Sequence, residues 1–279
     1  MRWSVAPILL LCAAAVAASP PLQLEGSFVQ GGLVRGKAVA GSEVRYAGRQ
    51  LRVDRDGRFL IGFDRDEPSG QELTVRFPDG SRAVRRLEIA PRAYLIERIE
   101  GLPPRQVTPS EEDLVRIRAD ARLIEAAKAR ELAAEAVADG FVWPVTGRIS
   151  GTFGSQRILN GEARRPHRGV DVAAPPGTPV GAMADGVVSL AAPDLYFTGG
   201  TVMIDHGYGL HSIYAHLSEV RVAVGQAVGQ GEPIGRVGAT GRVTGPHLHW
   251  GVFWFERALD PALLVEPMPQ GERAPALVK

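Results

Sequence analysis

All six histidines, His167, His206, His211, His216, His247 and His249, fall in the C-terminal half of a 279-residue chain. Their spacing carries more than their number. His167 and Asp171 stand four apart in HRGVD, and His247 and His249 stand two apart in PHLHW. An even separation in extended backbone puts both side chains on one face, so each pair can converge on one point. Imidazole nitrogens and a carboxylate suit zinc, and a catalytic zinc takes three protein ligands while leaving a fourth position open. His167, Asp171 and one histidine of the HLH pair make such a set. Asp171 as a partner orienting a ligand histidine is the alternative, and two histidines with a carboxylate also suit iron in an oxygenase.

Strand parity sorts the others. In HSIYAHL, His211, Ile213 and Ala215 share one face and Ser212, Tyr214 and His216 the other. His211 and His216 therefore cannot serve one site without a bulge. His206, in the turn-like DHGYG, and His211 read as structural or exposed.

These side chains need strands to hold them. From Phe141 onward, apolar runs such as GVVSLA, GGTVMID and HLHWGVFWF are each ended by Gly or Pro within about eight residues, too short for helices and right for a compact barrel or sandwich. Residues 22–100 alternate apolar and polar positions, with Asp56-Gly57 and Asp79-Gly80 as hairpin turns, and predict a small all-β module. Between the two, Thr108 as N-cap, Pro109 at the first helical position and Glu111 completing a T-x-x-E box predict a helix. Leu114, Ile117, Ala121, Ile124 and Leu132 form its apolar stripe, and Asp139-Gly140 ends it. At ~1.5 Å per residue it would reach about 45 Å, a spacer along a neighbouring domain or an arm for a partner.

HRGVD, YAHLS and GPHLHW in that order, with GTFG upstream, DVAAPPGTPV after the first motif and VGATGRVTGPHLHWGV around the last, resemble the lysostaphin/LytM-type zinc metallopeptidases. The resemblance covers roughly residues 141–265. It implies a compact antiparallel β domain with one zinc in a groove, cleaving peptide cross-links of bacterial peptidoglycan. Carried over residue by residue, it makes His167, Asp171 and His249 the metal ligands, and His216 and His247 the catalytic pair that orients water or stabilises the oxyanion. Some relatives lack ligands and activate other wall hydrolases, which gives the alternative of a non-catalytic wall-binding activator; here every motif position is retained. Other relatives are latent through an upstream asparagine on the metal. Asn160 is the only asparagine and lies just before His167, so that device is closed to this chain, and Asn160-Gly161 reads as a turn. Trp250 reads as core more than groove wall, and Arg164, Arg165 and Arg168 as a solvated face.

Residues 1–18, MRWSVAPILLLCAAAVAA, read as a signal peptide cut after Ala18, with an apolar stretch shorter than the ~20 residues that span a bilayer. Leu11 before Cys12, the only cysteine, argues against lipidation. The mature chain then has no thiol and no transmembrane segment, and the resemblance places it in the periplasm of a Gram-negative bacterium. With 45% hydrophobic and 23% charged residues, disorder is excluded. Lys+Arg of 32 against Asp+Glu of 31 gives no charge excess for nucleic acid. Thirty-three Gly, 21 Pro and 6% aromatics favour short strands and tight turns.

The expected organisation is mainly β: a signal peptide over 1–18, an N-terminal β-sandwich-like, possibly Ig-like module over 19–100, a linker and long helix over 101–140, and the metallopeptidase domain over 141–279. The expected partners are peptidoglycan peptide stems and other envelope or wall-hydrolase proteins.

Overall fold

The period-two pattern of the N-terminal residues becomes strands β1 (Gln23–Gly26), β2 (Leu33–Lys37), β3 (Glu43–Tyr46), β4 (Arg49–Leu51), β5 (Arg58–Gly62), β6 (Gly70–Arg76) and β7 (Arg82–Glu88). The structure is a computed structural model that describes residues 22–99, 110–130 and 140–268. The expected signal peptide, Thr108, Pro109, Leu132 and Asp139 lie outside the described residues. Two antiparallel sheets form, in the orders β1-β2-β5 and β4-β3-β6-β7. Alternation works as expected in β3, where Val44 and Tyr46 are buried between exposed Glu43 and Arg45.

The two Asp-Gly turns do different jobs. Asp79-Gly80 closes the β6–β7 hairpin, with Gly80 at φ +84° and Asp79 Oδ1 accepting from the Ser81 N–H at 2.9 Å. Asp56-Gly57 does not close a hairpin, contrary to expectation, because β4 pairs with β3 whereas β5 pairs with β2. The turn there passes the chain from one sheet to the other, tightened by Asp54 Oδ1 accepting from the N–H groups of Asp56 and Arg58. β5 is buried on both faces, which explains its unbroken apolar run FLIGF.

After β8 (Ile96–Ile99), helix α1 spans Glu111–Lys128. Its N-cap is Ser110, two residues later than expected: Ser110 Oγ accepts from the Asp113 N–H at 3.1 Å, and Asp113 Oδ2 accepts in return from the Ser110 N–H. Glu111, Glu112 and Asp113 then occupy the first turn, where the helix dipole favours negative charge. At 18 residues the described helix is ~27 Å long, well short of the expected reach. It lies on the C-terminal half: Asp120 accepts from the Tyr196 N–H at 2.7 Å, Arg116 pairs with Asp194 at 2.7 Å, and Ala127 is buried.

The C-terminal half contains β9 (Arg148–Gly151), β10 (Gln156–Leu159), β11 (Glu162–Ala163), β12 (Val170–Ala173), β13 (Pro179–Gly181), β14 (Gly186–Leu195), β15 (Gly199–Asp205), β16 (Leu210–Val220), β17 (Ala227–Val228), β18 (Pro233–Val237), β19 (Leu248–Trp254) and β20 (Arg257–Leu259). One large sheet runs β17-β14-β15-β16-β19-β12-β9, with β18 also pairing β16 and β13, and β20 pairing β19. Its centre is buried: every residue of β15 is buried, as is most of β16, with Thr201, Asp205, His211 and Ser212 set among the apolar side chains. The fold is mainly β, as expected.

The two halves share their core. Gly62 meets Trp254 so closely that a Cβ on Gly62 would lie 2.5 Å from the tryptophan Cβ. Tyr46 and Trp254 rings pack at 5.9 Å, and buried Glu67 takes a hydrogen bond from Arg257 at 3.1 Å. β8 leaves the N-terminal sheets altogether and runs parallel to β10, giving a small sheet β11-β10-β8 that contains chain from both halves.

Candidate metal centre

β19 and β12 are antiparallel neighbours with His249 directly opposite Asp171. Directly opposed residues point to the same face of a sheet, so register alone brings these two side chains together. His249 Nδ1 lies 2.9 Å from Asp171 Oδ1. His167 arrives differently. It precedes β12 in irregular backbone, so its four-residue separation from Asp171 does not act through strand parity as expected; a loop turns it in. Its Nε2 lies 3.0 Å from Asp171 Oδ1 and 3.0 Å from His249 Nδ1. Among the described residues, these three form the group whose donor atoms are close enough to hold one metal ion.

The donor set fits zinc: two imidazole nitrogens and a carboxylate oxygen facing one point. Second partners support it. His167 Nδ1 is 3.0 Å from the Thr152 carbonyl, which must accept the Nδ1 proton and so leaves Nε2 with its lone pair toward the shared point. Two glycines make room. A Cβ on Gly151 would collide with the Asp171 carboxylate, and one on Gly169 would lie 2.9 Å from His249 Cε1. Without a cation, burial raises the Asp171 carboxyl, but hydrogen bonds from His167 and His249 outweigh it and hold the group well below the usual carboxylate range. Burial depresses His249; for His167, burial is outweighed by the Asp171 hydrogen bond and charge, and its pKa is raised.

His216 and His247 stand beside this cluster, with ring centroids 4.8 Å apart and His216 6.1 Å from His249. Parity in β16 assigns His216 to the face of Ser212 and Tyr214. The chain departs from parity there. The β15–β16 register slips between Gly200 and Val202, and His216 sits at φ +65°, so a bulge swings its ring to the face of Ala215 and His249. Both rings are held alike: His216 Nδ1 donates to the Thr240 carbonyl at 3.0 Å and His247 Nδ1 to the Gly245 carbonyl at 2.9 Å. Each therefore keeps its lone pair on Nε2. Burial, with the neighbouring His249, pushes His216 down to about 4, so it is neutral at pH 7.

The other histidines lie elsewhere. His206 is 2% exposed, with Nδ1 2.7 Å from the Asp185 carbonyl and Nε2 2.8 Å from Ser212 Oγ. His211 is buried opposite Phe253, four residues along β19 from His249. Trp250 is fully buried, its ring 5.3 Å from that of Trp143. Asn160 at φ +49° and Gly161 at φ +80° form the β10–β11 turn. Arg164 pairs with Glu162 at 3.3 Å, while Arg165 and Arg168 are exposed. Thr152, Thr240 and Gly245 were not legible as site residues, because they act through backbone carbonyls, which residue type does not reveal.

Residues 165–261, which include all five side chains of the cluster, match the profile described as peptidase family M23. A crystal structure of a Pseudomonas aeruginosa protein assigned to peptidase M23 is similar over 85% of this chain and 94% of that one, at 31% identity and a TM-score of 0.66. The chain belongs to peptidase family M23. Other M23-like relatives match the C-terminal half. The Neisseria meningitidis DD-carboxypeptidase/endopeptidase Mpg is 43% identical over 123 residues, 44% of this chain and 28% of that protein. The Vibrio cholerae peptidoglycan DD-endopeptidase ShyA is 46% identical over 104 residues, 37% of this chain and 24% of that one. The match thus spans about a quarter of the length of these curated relatives. Among the described residues, no helix is long and apolar enough to cross a membrane.

Proposed function

We propose that this M23 chain is an exported, zinc-dependent endopeptidase that hydrolyses peptide cross-links of peptidoglycan in a Gram-negative periplasm. The observation that carries the reading is the convergence of His167, Asp171 and His249 within hydrogen-bond distance of one another, flanked by two imidazoles whose lone pairs are left on Nε2. Substrate class comes from the relatives, whose names record activity on peptidoglycan DD-bonds.

His167 Nε2, Asp171 Oδ1 and His249 Nδ1 would hold the metal. When bound there, zinc supplies Lewis-acid polarisation of an amide carbonyl and lowers the pKa of water toward about 7. The Thr152 carbonyl fixes the His167 tautomer, and the strand register fixes Asp171 against His249. Nε2 of His216 or His247 accepts the proton of the attacking water and returns it to the departing amine nitrogen. The protonated ring, or its partner, donates a hydrogen bond to the carbonyl oxygen as negative charge develops on it. His216 enters this step neutral because its burial disfavours the charged form.

The test is digestion of purified peptidoglycan by zinc-loaded protein, with released muropeptides analysed by mass spectrometry beside a His249→Ala control. Loss of cross-linked dimers that depends on His249 supports the reading and names the bond. No cleavage by protein verified to hold zinc overturns it in favour of an activator of another hydrolase.

A further inference from the structure

His167 is fastened to one short stretch of backbone. Its N–H donates to the Ser155 carbonyl at 2.8 Å, its own carbonyl accepts from the Gly154 N–H at 2.8 Å, and its ring is steered by the Thr152 carbonyl. Residues 152–155 therefore act as the seat of this side chain, and what holds that seat sets where His167 Nε2 points.

The seat is held from the N-terminal module. Arg65, in the turn after β5, donates Nε–H to the Gly154 carbonyl at 2.9 Å. Tyr94 lies against the same residue: Gly154 sits at φ +77°, and a Cβ there would collide with the tyrosine ring. Arg65 and Tyr94 are locked to each other. The guanidinium stands 4.4 Å from the ring centroid, and the Tyr94 hydroxyl donates to the Arg65 carbonyl at 3.2 Å. Tyr94 also packs edge-on against buried Phe153 at 6.1 Å. One residue on, the Leu95 carbonyl accepts the Gln156 N–H at 2.9 Å and starts the β8–β10 pairing. The Arg65 side chain is 13% exposed, so its bond to Gly154 is sheltered from water.

We infer that Arg65 and Tyr94 are positioning residues of the metal centre, through which the N-terminal module sets the affinity of the C-terminal half for its metal. This rests on the reading of His167 as a ligand. Groups that orient a metal ligand from outside change affinity by about 10–100-fold when removed. The module is then a component of the site, a role different from a spacer or a detachable restraint.

The experiment measures zinc affinity of the whole chain by competition with a chromophoric chelator, with the visible spectrum of the cobalt-substituted protein as a second readout. Arg65→Ala is expected to weaken zinc about 10-fold and to change the cobalt spectrum. Arg65→Lys is expected to recover part of the affinity, because an ammonium can still reach the Gly154 carbonyl but cannot stack as a planar group on Tyr94. Arg49→Ala, which severs a different contact between the halves, the 3.2 Å pair with Glu256, is expected to leave both readouts unchanged. Should Arg65→Ala not fold, Tyr94→Phe, which removes only the hydroxyl bond to Arg65, and Arg65→Lys carry the test. Folded variants with the affinity and cobalt spectrum of the unsubstituted protein overturn the inference. Equal weakening by Arg49→Ala also overturns it, by showing that docking of the module matters and the Gly154 seat does not. An unsubstituted protein that binds no zinc fails the metal-site reading instead, and the two failures are told apart by that single measurement.

Discussion

The Thr198 carbonyl accepts the His216 N–H at 2.7 Å, across a point where β16 has left regular strand geometry and His216 stands at φ +65°. A left-handed backbone at a non-glycine residue costs of order 1 kcal/mol or more and persists only where its surroundings enforce it. Here they do, through Thr198 on the backbone and Thr240 on the ring. The strain falls on the residue that the proposed chemistry uses to move a proton.

His216→Ala is therefore expected to retain zinc and lose about 10²–10⁴-fold in hydrolysis of cross-linked muropeptides, the usual size of a general acid–base contribution. Metal content by mass spectrometry and turnover on the same sample check it. Loss of zinc together with activity would place His216 among the ligands.

Asp171→Ala is expected to lower zinc affinity by more than about 100-fold. On the proposed reading it removes one ligand, together with the acceptor that both His167 and His249 face at 3.0 and 2.9 Å. Isothermal titration with zinc measures it, and an unchanged affinity would show that the two histidines suffice.

The buried His206 gives a pH dependence away from the metal. Burial lowers its pKa from 6.5 to about 4 in the folded chain. Between those values the unfolded chain binds a proton that the folded chain does not. Stability is then complete above about pH 6.5 and falls toward pH 4, by about 1.4 kcal/mol per pH unit for this one proton. His216 adds a fall of the same sign. Urea melts from pH 7 to pH 4.5 are expected to show a shallower decline for His206→Gln; an identical slope would remove His206 as the cause.

At the junction of the halves, Glu67 is 5% exposed and accepts from Tyr46 Oη at 3.0 Å and Arg257 Nε at 3.1 Å. Arg257→Ala leaves that carboxylate buried beside a tyrosine without its cation and is expected to cost about 3 kcal/mol. Chemical denaturation checks it, and a change under about 0.5 kcal/mol would show that water replaces the guanidinium.

Asp120→Ala removes the acceptor for the Tyr196 N–H and is expected to cost about 1 kcal/mol. Amide exchange at Tyr196 should speed while exchange in β19 does not. Equal acceleration in both would mean that α1 stabilises the whole half and not that turn.

Much of this was legible before any coordinates. Alternation with Gly and Pro punctuation was enough for the mainly β fold, because period and turn chemistry are local properties of the chain. The Asp56-Gly57 turn shows the limit: a turn is encoded locally, but which strands it joins depends on partners far along the sequence. The helix shows another, since two capping patterns compete within three residues and the acidic first turn favours Ser110.

The site divides in the same way. Side-chain type and spacing singled out His167, Asp171 and one histidine of the HLH pair, and the family resemblance chose His249 and added His216 and His247. Their convergence came from tertiary structure. Asp171 meets His249 through the pairing of β12 with β19, His167 swings in on a loop, and His216 crosses from one sheet face to the other at a bulge. Strand parity works only while backbone stays regular, and His167 and His216 reach the cluster where it does not. The carbonyls of Thr152, Thr240 and Gly245, and the reach of Arg65 to Gly154, carry no mark in residue type; they exist only once distant chain has been packed into place.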